Sequence, residues 1–303
     1  MTDSAEAFQT DRGLLAGYGC TERGPYLVVD ELEADVWRRR LLAVRERTFT
    51  LEAMGERYCT GRHDLLAGQS SPCPLQAALA DGALTQCSAC FVATGFNPAF
   101  YNTAQLSPQQ QRRNRQPHSV YLASFGGSAI KVGMTYAARG LSRLLEQGAL
   151  LGAVIAKLDD ADRARELEAY IATSFDVAES VRASRKRHLL GAPFSVSAAR
   201  VELARKIESI AALRSDVEPR PEIIELDRYY AGTHRLGGNV TDLSEVEPFA
   251  ISGRCLGMIG DILLVEQSKQ RFMLSIGQVL GSRVRLTATE RSNRFVGQLG
   301  LPF

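Results

Sequence analysis

Four of the chain's six cysteines, Cys59, Cys73, Cys87 and Cys90, fall in a stretch that cannot build a core of its own. It reads CTGRHDLLAGQSSPCPLQ and then QCSACFVATGFNPAFYN, rich in Gly, Pro and Ser and without apolar periodicity. Such a segment needs something to tie it down. Zinc takes four soft or borderline ligands in a tetrahedron, and a Cys-x-x-Cys turn such as Cys87-Ser-Ala-Cys90 aims two sulfurs at one ion. We therefore expect Cys59, Cys73, Cys87 and Cys90 to hold structural zinc, with His63, four residues after Cys59, as the alternative ligand. A closed set of four leaves no position for a reacting water, so this site is expected to be a scaffold. The competing reading is that reduced cysteines serve as small core residues, which is what we expect of Cys20 and Cys255.

Uneven cysteine spacing argues against a disulfide framework. The start, MTDSAEAFQTDRG, is acidic and polar where a secretion signal would be basic and then apolar. No apolar run approaches the roughly 20 residues that span a bilayer. A cytoplasmic protein without membrane contact is the expectation.

On either side of the cysteine stretch the pattern changes, and five regions are expected. Residues 1–58 read as an N-terminal β region, with strands in LLAGYGCTERGPYLVVDELE and RTFTLEAMGERYCTGRH. Residues 59–106 form the zinc segment. SPQQQRRNRQP, at the start of region 107–178, is expected to be a polar, basic linker ending at Pro117. After it come strands over 119–125 and 129–134 around Gly126-Gly127, a helix over 137–147, a buried strand in LLGAVIAKL and a helix opening at DDADRARELEAYI, whose early acidic residues complement the helix dipole. The order is β-β-α-β-α. Region 179–217 is expected to be helical, with Val201, Ala204, Ile207 or Glu208, and Ala211 on one face. Region 218–303 returns to short glycine-punctuated strands, as in a small barrel or sandwich.

Charge is uneven along the chain. Residues 107–220 carry 18 Lys/Arg and 12 Asp/Glu, a balance of +6, while the remainder carries 18 and 22, a balance of −4. A basic middle on a nearly neutral chain suits a polyanionic partner, although solvated helix faces produce the same count.

Within that basic middle, Ser119-Val120-Tyr121 lies on one strand, Lys131-Val132-Gly133 on the next, Arg143 follows on a helix and Glu168 lies on another. This order resembles the GIY-YIG nuclease domain over residues 118–175. The chain as a whole resembles an uncharacterised bacterial and archaeal family in which a four-cysteine segment precedes an HxVYLA…KVG…R…QGA arrangement, ending here in Gln147-Gly148-Ala149.

The first resemblance implies a fold and a function. The fold class would be α+β: a small GIY-YIG-like β-β-α-β-α domain, the zinc segment, and a barrel- or sandwich-like part from the N- and C-terminal regions. The function would be metal-dependent phosphodiester hydrolysis of DNA or RNA, as a nuclease. Tyr121 would be the general base and Arg143 the phosphate clamp, with Arg139 as its alternative. Glu168 would be the ligand of a catalytic Mg²⁺ or Mn²⁺. Glu166 is about 200° away around the helix and cannot face the same ion.

Lys131 stands where that family has its second tyrosine; there it would hold a phosphate oxygen. A phenol with an ordinary pKa near 10 needs a neighbouring cation to act as a base at neutral pH, and Lys131 or His118 would supply it. Arg112, Arg113, Arg115, Arg139, Arg185, Lys186 and Arg187 would contact phosphates. The alternative is a module that binds nucleic acid without cleaving it.

Overall fold

The computed structural model describes residues 8–21, 23–80, 85–100, 105–126, 129–182, 185–186, 194–230 and 240–293. In chain order the strands are β1 (Thr10–Thr21), β2 (Gly24–Glu33), β3 (Val36–Ala43), β4 (Thr48–Arg57), β5 (Arg62–His63), β6 (Ser70–Ser71), β7 (His118–Ser124), β8 (Ile130–Tyr136), β9 (Leu151–Leu158), β10 (Ile224–Glu225), β11 (Val240–Asp242), β12 (Ala250–Ile259), β13 (Ile262–Gln267), β14 (Gln270–Ser275) and β15 (Ser282–Thr287). The helices are α1 (Ser88–Thr94), α2 (Pro108–Asn114), α3 (Ser142–Gln147), α4 (Ala161–Ser174) and α5 (Val196–Ala211).

One nine-stranded mixed sheet, ordered β11-β14-β13-β12-β4-β15-β1-β2-β3, dominates the molecule. Its strands come from both ends of the chain, and β11 against β14 is parallel while the other pairs are antiparallel. Leu27, Val29 and Leu42 near one end of that order share a single core with Phe272 and Leu274 near the other, so the sheet curls around its apolar face. Glycine permits the bend in β12: Gly253 has φ +140°, and a Cβ there would lie 2.5 Å from the Glu266 carbonyl oxygen.

This arrangement overturns the expected fold class. The chain is not a small β-β-α-β-α GIY-YIG-like domain with a separate barrel or sandwich. The second sheet, β10-β9-β7-β8, recruits its fourth strand from residues 224–225. On one face its core is closed by α4 and by α5, which contributes Ala199, Leu203, Ile207 and Ile210. On the other face Tyr121 and Ala123 pack with Leu144 and Leu145 of α3, and with Cys20 of β1 and Ile259 of β12. Both faces of β7 are thus covered, and all seven of its residues are buried.

Three local expectations also change. The stretch read as a linker contains α2, because Ser107 caps it by accepting the Gln110 N–H at 3.1 Å and Pro108 occupies the first helical turn, where no donor is lost. The helix expected over 137–147 is split into a 3₁₀ turn over Ala137–Arg139 and α3, with Gly140 at φ +50° between them. Val201 does not face the core of α5: it is 57% exposed, because the buried stripe runs through Ala199 and Leu203 on either side of it.

Candidate functional site: a cysteine cluster beside an arginine cleft

The four cysteine sulfurs of Cys59, Cys73, Cys87 and Cys90 lie within 4.8 Å of one another, and Cys73 and Cys87 are 3.9 Å apart. Sulfurs around a tetrahedral zinc with bonds of about 2.3 Å would be about 3.8 Å apart, so the group fits such an ion. Local structure sets this up. Cys87 is the N-cap of α1 and Cys90 sits in its first turn, while the Cys59 sulfur accepts the N–H groups of Gly61 at 3.4 Å and Cys87 at 3.2 Å. The backbone N–H of Cys90 favours the Cys87 thiolate and lowers its pKa. His63 is outside this group; its backbone N–H donates to Thr94 Oγ1 at 3.0 Å and the residue lines the neighbouring cleft. The cluster can hold a metal ion, and all four cysteines are unpaired thiols, as are Cys20 and Cys255.

Beside it lies a cleft of about 790 Å³. One wall belongs to the second sheet and its helices: Arg113, His118, Thr135, Arg139, Arg143, Arg165, Glu168 and Glu179. The cysteine segment contributes His63, Leu65, Phe91, Phe96 and Phe100 to the same lining. Arg113 bridges them, its guanidinium 5.6 Å from the Phe96 ring centre and 5.7 Å from that of Tyr136.

The basic wall is crowded. Burial lowers the pKa of Arg113, and the charges of Arg139 and Arg143 lower it further. Arg139 hydrogen-bonds to Glu146, which also lies 3.8 Å from Arg143. Arg113 Nε and Thr135 Oγ1 are buried without a hydrogen-bond partner.

Of the expected catalytic set, Arg143, Glu168 and His118 line the cleft, whereas Tyr121 and Lys131 are buried and do not. Tyr121 is sealed because α3 and the large sheet cover its side of β7. Its hydroxyl accepts from Gln147 Nε2 at 2.8 Å, and its ring lies over Gly133, where a Cβ would meet Tyr121 Oη at 2.4 Å. Burial raises the Tyr121 pKa even though Arg143 opposes the shift. A phenol so placed is a poor base. Lys131 is pushed down to about 8, first by burial and then by Arg143. His118 Nδ1 lies 2.8 Å from the Gln116 carbonyl, and burial lowers the pKa of the ring as well.

Glu168 does not fit the role of a magnesium ligand. One carboxylate oxygen accepts the Met134 N–H at 3.0 Å and the other pairs with Arg165 at 2.7 Å. Arg165 also bridges to Glu179 at 3.0 Å, so the carboxylates here are matched to a guanidinium instead of a hard cation.

The remaining basic residues divide. Arg113 and Arg139 line the cleft; Arg112, Arg115 and Arg185 are exposed and do not. Lys186 donates to the Gln147 carbonyl at 2.6 Å and lies over Phe125, bracing the end of α3. Arg187 lies outside the described residues. Sequence reasoning missed Arg165 and Glu179, although Arg165 stands three residues before Glu168 on one helix face. It also missed the phenylalanines, which come directly after the Cys-x-x-Cys turn.

A family model described as "Protein of unknown function (DUF2797)" matches residues 47–283. The chain belongs to this family. The matched span takes in all four clustered cysteines, the cleft and the whole second sheet. No curated protein and no solved structure matches the chain. Among the described residues no helix is long and apolar enough to cross a membrane.

Proposed function

We propose that this protein binds the phosphate backbone of a nucleic acid in the arginine cleft, and that zinc held by the four cysteines fixes one wall of it. The observation that carries the reading is the mutual crowding of Arg113, Arg139 and Arg143 on a single wall. Arg139 and Arg143 share the one carboxylate of Glu146, which leaves positive charge on the three arginines for a bound anion to offset, and guanidinium forks suit phosphate oxygens. Zinc would supply no chemistry there beyond holding the segment folded. Unpaired cysteines suit a reducing compartment, so we read the protein as cytoplasmic.

Phosphate contacts release counterions, so the slope of log affinity against log salt counts them. Arg113→Ala, Arg139→Ala and Arg143→Ala are each expected to weaken binding and reduce that slope by about 1. Arg112→Ala, outside the cleft, is expected to leave the slope unchanged. Salt-independent binding by the unmodified protein, or an unaltered slope in the triple variant, would refute the proposal.

Lys131 adds a pH dependence. It is cationic below about 8 and loses its charge as pH rises through that value. Affinity for a polyanion is therefore expected to fall between about pH 7 and 9, a unit either side of that value, and Lys131→Met should flatten the decline. A flat profile in the unmodified protein would exclude a contribution from Lys131.

A second reading is that the bound phosphodiester is hydrolysed with Mg²⁺ or Mn²⁺. What favours it is that Tyr121, Lys131, Arg143 and Glu168 act on one another electrostatically across β7, β8, α3 and α4. What disfavours it is the sealed phenol and the engaged carboxylate. Cleavage assays with both metals decide, using Tyr121→Phe and Glu168→Gln; glutamine keeps an acceptor for the Met134 N–H, so the fold is spared. Cleavage lost in both variants would support hydrolysis, and none by the unmodified protein would leave binding alone.

A further inference from the structure

Phe91 and Phe96 are 51% and 41% exposed, an uncommon state for two large aromatic side chains so close in the chain. Single exposed apolar residues need no explanation. These two, with Phe100, line the same cleft as Arg113, Arg139 and Arg143, and the Phe96 ring centre lies 5.6 Å from the Arg113 guanidinium. They are held there by the cysteine cluster: Phe91 follows Cys90 on α1, and Gly95, in the left-handed region at φ +63°, ends the helix by donating its N–H to the Phe91 carbonyl at 2.8 Å. Phe96 comes next in the chain.

Resting on the proposed backbone reading, we infer that the ligand is single-stranded nucleic acid, with phosphates on Arg139 and Arg143 and unstacked bases on the rings of Phe91 and Phe96. Two kinds of surface are needed to bind a strand without reading its sequence: a cationic track, and aromatic faces on which successive bases stack. Both line one cleft. In a duplex the bases are already stacked on one another and present only their edges in the grooves, so the phenylalanines would gain nothing from it. The cleft volume of about 790 Å³ lies in the range of pockets that enclose small ligands, which suits one or two nucleotides at a time.

The test uses the full chain loaded with zinc, and fluorescence anisotropy with labelled oligothymidylate, oligouridylate and a mixed-sequence duplex, each about ten nucleotides long. The strands are expected to bind at least about tenfold more tightly than the duplex. Phe91→Ala and Phe96→Ala are each expected to weaken strand binding by roughly five- to tenfold or more, the range of stacking losses seen on truncation. Phe91→Ala should leave the salt slope unchanged, because it removes no phosphate contact, whereas Phe96 also carries the Arg113 guanidinium near its ring. Phe96→Trp should retain affinity and Phe96→Leu should not, which separates stacking from mere apolar contact. Zinc content measured on every variant shows whether the wall is still built.

Duplex bound as tightly as strand, or alanine variants that retain both zinc and full affinity, would overturn the inference while salt-dependent binding keeps the backbone reading intact. Absence of salt-dependent binding to every probe would instead bring down the backbone reading and this inference with it.

Discussion

Replacing Cys59 or Cys90 with serine is expected to take the metal content from one zinc per chain to nearly none and to unfold the stretch from 59 to about 100. Both sulfurs are buried within the cluster, and among the described residues the small core around them is otherwise built from Cys73 and partly buried Ala77, Leu79 and Cys87. Structural zinc in small peptides binds with roughly 10–16 kcal/mol of apparent free energy, and in a segment with so little core a bound zinc would supply what holds the fold. The nine-stranded sheet has its own core, which none of the four clustered cysteines enters, and should survive. The expected signature is therefore split: protease sensitivity confined to the cysteine segment, far-UV β signal retained, and nucleic-acid affinity lost because one wall of the cleft has gone. Serine at Cys20 or Cys255 should leave zinc content unchanged. A zinc-free protein that resists protease throughout would show that the thiols are core residues and nothing more.

Asp30→Ala should cost about 3–5 kcal/mol of stability, the penalty for stranding a buried charge. Asp30, on β2, is fully buried and faces Arg39 on β3, which donates through Nε and Nη2 to its two carboxylate oxygens, each at 2.7 Å. Nη2 of Arg39 also donates to the carbonyl of Thr60, the residue after Cys59, at 2.6 Å. The pair thus ties the edge of the large sheet to the base of the cysteine segment. Urea denaturation should show the loss, and Arg39→Met added to Asp30→Ala should recover part of it by removing the stranded guanidinium. A double variant as unstable as the sum of the singles would mean that the two charges do not depend on one another.

How much of this was legible depended on distance along the chain. The cysteine cluster could be read because the Cys-x-x-Cys turn and its two partners lie within about thirty residues of one another, and ligand chemistry demands those residue types. The β7–β8 hairpin could be read from two β-rich runs around Gly126-Gly127. The large sheet could not. Its centre pairs β4 with β12 and β15, roughly 200 residues later, and nothing in Phe49 or Leu51 names Ile251 or Leu286 as a neighbour. Two of its hairpins also lack the usual turn signal: Ala34-Asp35 and Ser268-Lys269 take left-handed conformations with no glycine or asparagine.

The site shows the same limit. Arg143 and Glu168, expected from a motif, line the cleft, yet Tyr121, expected with them as a base, is sealed, because the layer that covers it is assembled from β1, β12 and α3. Arg112, Arg113 and Arg115 look equivalent in sequence. Only the rotation of α2 turns Arg113 inward and its two neighbours out, and the helix itself was hidden by a composition that reads as linker.

The outer rim of β8 is already occupied: the Val132 N–H goes to the Ala178 carbonyl at 2.9 Å and the Met134 N–H to Glu168. Open strand rims are templates on which other chains polymerise, and native proteins block them with charge or cover. With these two donors spent on its own backbone and carboxylate, the covered margin beside the groove offers no open template for self-association.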